Sequence, residues 1–418
     1  MKKKVFFRGP LLTRSGYGEQ SRFALRALKS REDLFDIYIQ PLQWGKTSWM
    51  NEDSVDREWI DYTIEKTIAY AQQGGQYDAS FQVTIPNEWE RIAPVNVGYT
   101  AGIETTKVAH QWIPKGNEMD EIVVVSDHAR DTYKDTVYTA EHTETKQKME
   151  LKLTTPIRTV NYPAKVYENL PDIELDLDFD FNFLTVAQAG PRKNLPQTVN
   201  WFVQEFQNDE VGLVLKTNIA KNSLMDREKI FHDLKSTLNA QYPNRKCKIY
   251  LLHGDMTDEE MHSLYAHPKI KALLALTHGE GFGLPLFECC YTGVPVICAG
   301  WSGQLDFLYD KETNKNNFYS VEYDLQPVPD PVVWEGVIIK ESMWAYPREK
   351  SAKEQMRLCY NQLTGDRADE ISGRFVDYAD KIHKTFAQEK RYAEMVQVVC
   401  DALGVSSNPQ EEDVVEFD

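Results

Sequence analysis

Short apolar runs alternate with amphipathic stretches through the first third of the chain. A short buried strand is predicted at 4–7, and further strands at 35–42, 77–84, 96–101 and 121–126. A helical pattern extends from Glu19 to about Lys29, with Ala24, Leu25 and Leu28 on one face. The stretch DHARDTYKDT predicts another helix after the last strand. Strands that alternate with helices indicate a parallel, wound α/β sheet.

The same rhythm returns in the second half of the chain. Strands are predicted from the runs FNFLTVAQ, VGLVLKTN, CKIYLLHG, KALLALTHG and PVICAG, with helical stretches between them. From about Ser342 to the last apolar residues the pattern is helical. The sequence therefore predicts two doubly wound α/β domains. Such domains bind ligands at the carboxyl ends of their strands, so the chemistry is expected in the cleft between them.

The segment from about 161 to 182 separates the two series. It begins with the turn-rich stretch NYPAKVYENLP, after which carboxylates alternate with apolar residues, at Asp172, Glu174, Asp176, Asp178 and Asp180. This period of two predicts an extended segment with one acidic face. A metal site is the sharper interpretation. A solvated strand face is favoured over it, because neighbouring side chains on one face of a strand splay apart.

Composition excludes several classes of protein. A hydrophobic fraction of 42% in 418 residues is enough for large cores and excludes a mostly disordered chain. No run approaches the ~18 apolar residues of a membrane helix, and the start MKKKVFFRGP lacks the apolar stretch of a signal peptide. The six cysteines lack zinc-site spacing, so we expect free thiols in a reducing cytoplasm, or the host cytoplasm for a viral protein.

The chain is acidic, with 47 Lys and Arg against 64 Asp and Glu and a net charge of −17. Such a protein has no global field to attract nucleic acid. Part of the charge is local, because the ending PQEEDVVEFD holds five carboxylates. Residues 406–418 are therefore predicted to form a disordered, solvated tail.

The most informative stretch is THGEGFGLPLFECCYTGVPVI, residues 277–297. A predicted strand leads into a glycine-rich turn, and Pro285 stands where the first turn of a helix is expected. Glycines allow close backbone approach, and a helix amino terminus favours an anion such as a diphosphate. Glu280 lies in the turn and Glu288 lies about a turn into the helix, with seven residues between them. Both carboxylates are expected to face the cleft and bind hydroxyl groups.

This stretch resembles the family-four, glycogen-synthase-like retaining glycosyltransferases of the GT-B fold, whose Glu-x7-Glu motif binds a nucleotide sugar. The resemblance implies two Rossmann-like doubly wound domains that face each other across a cleft. The implied divisions are an acceptor-side domain over 1–165, a nucleotide-sugar-binding domain over 166–345, and helices over 346–405 that pack back on the first domain.

The resemblance also implies roles in donor binding. Glu280 is expected to contact the transferred sugar, and Glu288 the ribose. In FLTVAQAGPRKNLPQTVNWFVQEF, Lys193 matches the lysine that neutralises the leaving diphosphate, with Arg192 beside it. Gln188 stands where the family has a second phosphate-binding arginine, and Arg192 or Lys216 is a candidate substitute. The remaining implied donor-binding positions are Gly281, Phe282, Gly283 and Leu284.

Two motifs of the first half complete the predicted site. The segment at 98–130 resembles a subgroup of the family, and it implies acceptor-side roles for Glu104, Thr105 and His110. The loop with Gly16 and Gly18 is nearly a dinucleotide fingerprint, which would favour a dehydrogenase. Its glycines come too long after the strand, and no acidic residue ends the second strand. The resemblance instead implies a glycine loop near the donor phosphate and the acceptor.

A third motif, AGWSGQLDFL at 299–308, follows the Glu-x7-Glu helix and matches the same subgroup. Trp301 and Ser302 are candidates to line the nucleotide pocket. A packed tryptophan is an equally good interpretation.

The implied activity is a hexosyl- or pentosyltransferase. It would transfer a sugar from a UDP- or GDP-sugar to an acceptor hydroxyl with retention, without a metal ion or a cofactor other than the donor. The acceptor stays open among a glycan, a metabolite and a modified DNA base. One alternative is a viral-type DNA glycosyltransferase that acts on a hydroxylated or hydroxymethylated base. Another is a nucleotide-sugar-binding protein with decayed activity. Oligomeric state is not readable from the sequence.

Overall fold

The computed structural model describes residues 2–50, 54–141 and 146–408. The first half forms a six-stranded sheet in the order β2-β1-β3-β4-β5-β8, parallel throughout. Its strands and the β6–β7 ribbon are β1 (Lys3–Gly9), β2 (Phe35–Pro41), β3 (Ala79–Val83), β4 (Val95–Thr100), β5 (Glu121–Val124), β6 (Tyr138–Glu141), β7 (Lys148–Leu151) and β8 (Ile157–Thr159). Its helices are α1 (Gly16–Lys29), α2 (Val55–Gln72), α3 (Trp112–Asn117) and α4 (Asp127–Asp135).

A second parallel sheet has the order β11-β10-β9-β12-β13-β16. The strands of the second half are β9 (Asn182–Gln188), β10 (Gly212–Asn218), β11 (Lys248–Leu252), β12 (Ile270–Ala275), β13 (Val296–Ala299), β14 (Tyr309–Asp310), β15 (Lys315–Asn316), β16 (Tyr319–Val321), β17 (Tyr323–Pro327) and β18 (Met343–Pro347). The helices are α5 (Leu195–Phe206), α6 (Leu224–Gln241), α7 (Asp258–Ala266), α8 (Leu284–Tyr291), α9 (Leu305–Leu308), α10 (Glu349–Thr364), α11 (Ala368–Thr385) and α12 (Gln388–Leu403).

The central strands of both sheets explain why the sequence pattern was informative. β3 is buried at every position, and β12 at every position but Lys271. Strands covered by helices on both faces favour near-continuous apolar runs, and β12 has one. In β3 the two buried polar residues are bonded to each other, since Gln82 donates to the Oγ of Ser80 at 2.9 Å. The predicted α/β class with two doubly wound units is therefore confirmed. Within the described ranges, no helix is long and apolar enough to cross a membrane.

Helix α1 begins one turn before the predicted start at Glu19. Ser15 caps it, since its Oγ accepts from the amide of Gly18 at 3.0 Å. A Cβ on Gly18 would lie 2.0 Å from the carbonyl oxygen of Thr13, so only glycine fits there. The apolar periodicity begins later than the cap, because the first turn is built from glycines.

The acidic segment between β8 and β9 has the predicted acidic face but pairs with no strand. The alternation persists in burial, with the carboxylates exposed and Leu177 buried. The amide of Leu177 bonds the carbonyl oxygen of Leu175 at 2.9 Å, a local turn instead of a ladder. The predicted acidic tail lies outside the described residues from 409 onward.

The three carboxyl-terminal helices pack on different units. α10 contacts α5 and β16, and α11 contacts α8, all in the second half. α12 crosses back and packs on α1, β4 and β5 of the first sheet. An ion pair of 2.6 Å between Arg158 and Asp401 joins the first half to α12. The domain divisions at 165 and 345 stay predictions.

Residues 328–342, here called the strap, leave β17, reach the first half of the chain and return as β18. The indole Nε1 of Trp112 donates to the carbonyl oxygen of Gly336 at 2.8 Å, and Val337 is buried in the cluster around Trp112. Met343 and Thr106 exchange two hydrogen bonds of 2.9 Å. The strap thus connects the second unit to the loop that follows β4.

Candidate functional site

The glycine-rich turn lies between β12 and α8, at the carboxyl edge of the second sheet. Gly283 is the residue before α8 and has a φ of +96°, a conformation that favours glycine. Pro285 stands in the first turn and Leu284 begins the helix. Phe282 is buried, with its ring 5.1 Å from that of Phe287. The buried side chain of Phe282 therefore fixes the turn against α8, while the backbone of the turn faces the first domain.

Glu280 lies at the centre of a buried ion cluster in this turn. Its carboxylate accepts from the ammonium of Lys193 at 2.6 Å and from the guanidinium of Arg192 at 3.0 Å. Its own amide donates to the Oγ of Ser302 at 2.9 Å. Burial alone would raise the pKa of Glu280, but the charges of Lys193 and Arg192 outweigh it and hold the pKa at about 2. Glu280 is thus ionised and fixed in position.

Arg192 and Lys193 enter the cluster from a short 3-10 turn after β9. Arg192 also donates to the carbonyl oxygen of Gly279 at 2.6 Å and pairs with Glu104 of the first domain at 3.1 Å. Burial lowers the pKa of Arg192, but Glu104 and Glu280 raise it above its usual range. Burial and the charge of Arg192 lower the pKa of Lys193, against the attraction of Glu280. The two cations therefore compete for carboxylates in a confined space.

The two domains touch directly at this turn. A Cβ on Gly279 would lie 2.5 Å from the carbonyl oxygen of Glu104, and one on Gly281 would lie 2.6 Å from that of Ala101. The Oγ of Ser126 donates to the carbonyl oxygen of Gly281 at 2.6 Å. Glycines are required here because the loop after β4 packs against the backbone of the turn. The structure therefore has its cleft closed at the predicted site.

Among the predicted acceptor-side residues, Glu104 alone has a contact with the ion cluster. Thr105 is buried, and its Oγ1 bonds the carbonyl oxygen of Lys107 at 3.2 Å. His110 is exposed in the turn before α3, with its ring 6.1 Å from that of Tyr138. The structure does not bring Thr105 or His110 into contact with Glu280, Arg192 or Lys193.

Glu288, on the second turn of α8, has a different environment. Its carboxylate accepts from the hydroxyl of Tyr265 at 2.7 Å. Burial raises the pKa of Glu288 to about 7, although Lys165 and the Tyr265 hydroxyl oppose the rise. Lys165 itself is paired with Glu19 at 2.7 Å and with Asp258. The two glutamates of the motif thus differ in protonation. Glu280 is a carboxylate at neutral pH, whereas the pKa of Glu288 lies close to neutral pH.

Lys216 and Gln188 lie away from the Glu280 cluster. The ammonium of Lys216 donates to the carbonyl oxygen of Gly254, and burial lowers its pKa. The amide of Gln188 donates to the carbonyl oxygen of Ile219 at 3.0 Å, at the exposed end of β9. Neither side chain therefore contacts the Glu280 cluster in place of the second phosphate-binding arginine that the resemblance implies. Arg192 is the cation that contacts both Glu280 and the first domain.

The first-domain glycine loop faces the second domain. Gly16 begins α1, and no atom lies within 4 Å of the place that a Cβ would take. The neighbouring Arg14 donates to the carbonyl oxygen of Met256 at 3.0 Å, across the cleft. Ser48 donates to Asp255 at 2.9 Å close by. This loop therefore closes on the segment after β11, near Lys216.

Sequence reasoning missed His278, which joins the cluster to β18, the strand that follows the strap. Its amide donates to the carbonyl oxygen of Arg192 at 2.9 Å, and its Nδ1 lies 2.7 Å from the carbonyl oxygen of Ala345. Its ring stacks on Trp344, with centroids 4.7 Å apart and planes at 12°. The available signal was its position, two residues before Glu280, but nothing in the sequence indicated a partner 67 residues away.

His128 is the second histidine that sequence reasoning missed. It follows the first residue of α4, and its ring lies 5.0 Å from that of Trp301. Burial lowers its pKa to about 4, so the side chain is neutral. Trp301 also packs at Gly279, where a Cβ would meet its ring at 2.7 Å. The motif residue Trp301 thus contributes to the contact between domains.

No known family model and no curated protein sequence matches this chain. Solved structures do match over nearly its whole length. A glycosyltransferase from Rickettsia africae superposes with a TM-score of 0.56 at 14% identity, covering 97% of this chain and 100% of its own. Sucrose-phosphate synthase from Thermosynechococcus elongatus gives 0.61 at 12%, covering 97% and 100%. An Anabaena protein in complex with UDP and glucose gives 0.57 at 10%, covering 96% and 100%.

These neighbours have the GT-B fold, and the two facing parallel sheets with a returning terminal helix match it. The predicted GT-B fold is confirmed. At 10–14% identity the likeness concerns the fold, and the family-four assignment stays a prediction.

Proposed function

We propose that this chain is a glycosyltransferase that moves a sugar from a nucleoside diphosphate sugar to an acceptor hydroxyl. The observation behind the proposal is the buried cluster of Glu280, Lys193 and Arg192 beside the glycine turn. The turn leads into the amino terminus of α8, where free amides and the helix dipole favour an anion. The solved neighbours support the proposal, because the Anabaena protein is in complex with UDP and glucose.

In the proposed reaction the bond from the anomeric carbon to the leaving phosphate oxygen breaks. The acceptor oxygen bonds that carbon from the same face, and the acceptor proton passes to the leaving diphosphate. Negative charge develops on the diphosphate, so catalysis requires fixed positive charge close to it. Lys193 and Arg192 would provide that charge, Glu280 would hold the sugar hydroxyls, and Glu288 would hold the ribose. The reaction as written needs no metal ion or further cofactor.

Both the donor and the acceptor need to be identified by experiment. Residues 1–165 hold 22 Lys and Arg against 23 Asp and Glu, so −16 of the net charge of −17 comes from the rest of the chain. The acidity therefore has little bearing on the proposed acceptor side. A glycan, a metabolite and a hydroxylated base all remain acceptors to be compared.

A donor screen tests the proposal. UDP-glucose, GDP-mannose and related donors are compared by thermal shift, by calorimetry and by release of the nucleotide. Lys193→Ala and Glu288→Ala are expected to lose nucleotide release or donor affinity. Lys229→Ala is the matched control, because this lysine is exposed on α6 and pairs with Asp233. If the wild type neither binds nor hydrolyses any donor, the proposed activity is wrong. Binding without release would favour a donor-binding protein.

A further inference from the structure

Glu104 occupies one side of the guanidinium that the proposed reaction needs. Its carboxylate lies 3.1 Å from Arg192, and its backbone carbonyl packs on Gly279 of the glycine turn. Arg192 is then shared between Glu104 of one domain and Glu280 of the other. About a quarter of each side chain of the Arg192–Glu104 pair stays exposed, whereas Glu280 is 7% exposed. The pair with Glu104 is thus the more accessible of the two.

The charges in the cluster also favour replacement of one carboxylate by a diphosphate. Lys193 and Arg192 supply two positive charges, and Glu280 and Glu104 supply two negative charges, so the cluster is neutral as it stands. A diphosphate gains little from a neutral cluster, whereas it gains charge-assisted hydrogen bonds from an arginine without a carboxylate partner. The Glu280 contacts are buried and shared with Lys193. Glu104 is therefore the partner that a diphosphate can displace at least cost.

We propose that Glu104 holds Arg192 in the donor-free protein and that the donor diphosphate takes its place at the guanidinium. This inference rests on the proposed function. It makes Glu104 a positioning residue, because it acts through Arg192. The released carboxylate stays in the loop after β4, on the side where the acceptor is expected. Donor binding would thus free an acceptor-side group, and the donor would bind before the acceptor.

The test is nucleotide binding by the full chain, measured by titration calorimetry with UDP. In Glu104→Gln the competitor loses its charge, and UDP is expected to bind roughly fivefold more tightly, the upper range for a partly exposed ion pair. Uridine has no diphosphate, so its affinity should stay unchanged. Glu118→Gln is the matched control, because Glu118 is another first-domain carboxylate that pairs with a cation, Lys115, at 3.2 Å.

The gain in affinity is a result that a merely structural role would not give. Glu104→Asp is the second variant, since its shorter side chain keeps the charge but reaches Arg192 less well, and it should show a smaller gain. Equal or weaker UDP binding by Glu104→Gln than by the wild type overturns the proposal and leaves the donor assignment intact. Equal tightening of uridine also overturns it. If UDP, GDP and ADP bind no form of the protein, both this inference and the proposed function are wrong.

Discussion

Replacing Glu280 by glutamine removes the charge at the centre of the cluster and keeps its shape. The carboxylate is 7% exposed and bonds Lys193 at 2.6 Å, so the variant leaves two partly buried cations without their shared partner. The pKa of Glu280 falls from 4.5 to about 2 on folding. This shift of about 2.5 units corresponds to about 3 kcal/mol of stability at neutral pH. The expected loss lies at the lower end of the ~3–5 kcal/mol found for broken buried ion pairs.

The pH dependence of this loss follows from the direction of the shift. A carboxyl whose pKa is depressed by folding stabilises the protein above its unfolded pKa and loses that contribution as the pH falls through the folded value. The difference between wild type and Glu280→Gln should therefore be full at about pH 7. It should shrink to about 2 kcal/mol near pH 3.5 and continue to fall toward pH 2.

Urea unfolding of the donor-free protein, followed at several pH values, measures this difference. Glu354→Gln serves as the control, because Glu354 is exposed on α10 and lies 3.8 Å from Lys350. The control should differ from wild type by a few tenths of a kcal/mol at most. A Glu280→Gln loss below about 1 kcal/mol at neutral pH, or one that does not change with pH, would refute the reasoning that the cluster fixes this carboxylate.

Three further predictions concern the same region. Gly281→Ala should hold the cleft open, because its Cβ would lie 2.6 Å from the carbonyl oxygen of Ala101. Small-angle scattering should then show a larger radius of gyration than for the wild type. An unchanged radius would contradict the contact. UDP affinity should fall as the pH drops through about 7, because protonation of Glu288 weakens the acceptor of the proposed ribose hydrogen bonds. Calorimetry with Glu288→Gln should show a flatter pH profile. His278→Phe should lower kcat more than it raises the donor KM. His278→Asn should restore part of the lost kcat, because its amide can donate to the carbonyl oxygen of Ala345. An equal loss of kcat in the two variants would argue against a role for this hydrogen bond.

The sheets could be predicted because parallel strands need apolar runs on both faces. The runs at 77–84 and 121–126 became β3 and β5 almost as written. The start of α1 was placed one turn late, since its cap is built from Ser15 and glycines instead of from apolar periodicity. The acidic segment at 172–180 had the predicted alternation without a partner strand. Periodicity reports which side of a segment is buried, but not what lies beside it.

The residues of the candidate site could be predicted where they belong to a short, recognisable sequence motif. Glu280 was named from the glycine-rich motif, and Arg192 and Lys193 from the resemblance. The structure brings both cations within 3.0 Å of the Glu280 carboxylate. Contacts between distant segments were not predictable, because they depend on how the two units are placed. The stack of His278 on Trp344 and the strap belong to this kind.

The strap also determines how the two units can separate. Two covalent passages join them, the segment after β8 and the turn before α12, and these lie side by side because the amide of Ala164 bonds the carbonyl oxygen of Phe386 at 2.8 Å. They form a single hinge. The strap is held to the first unit by hydrogen bonds and apolar contacts near its middle, at Gly336 and Val337. Both of its ends belong to the β17–β18 pair, so its reach is about half of its ~50 Å extended length. The docked strap therefore limits the opening angle at this hinge, and a wider opening would require the strap contacts with the first unit to break.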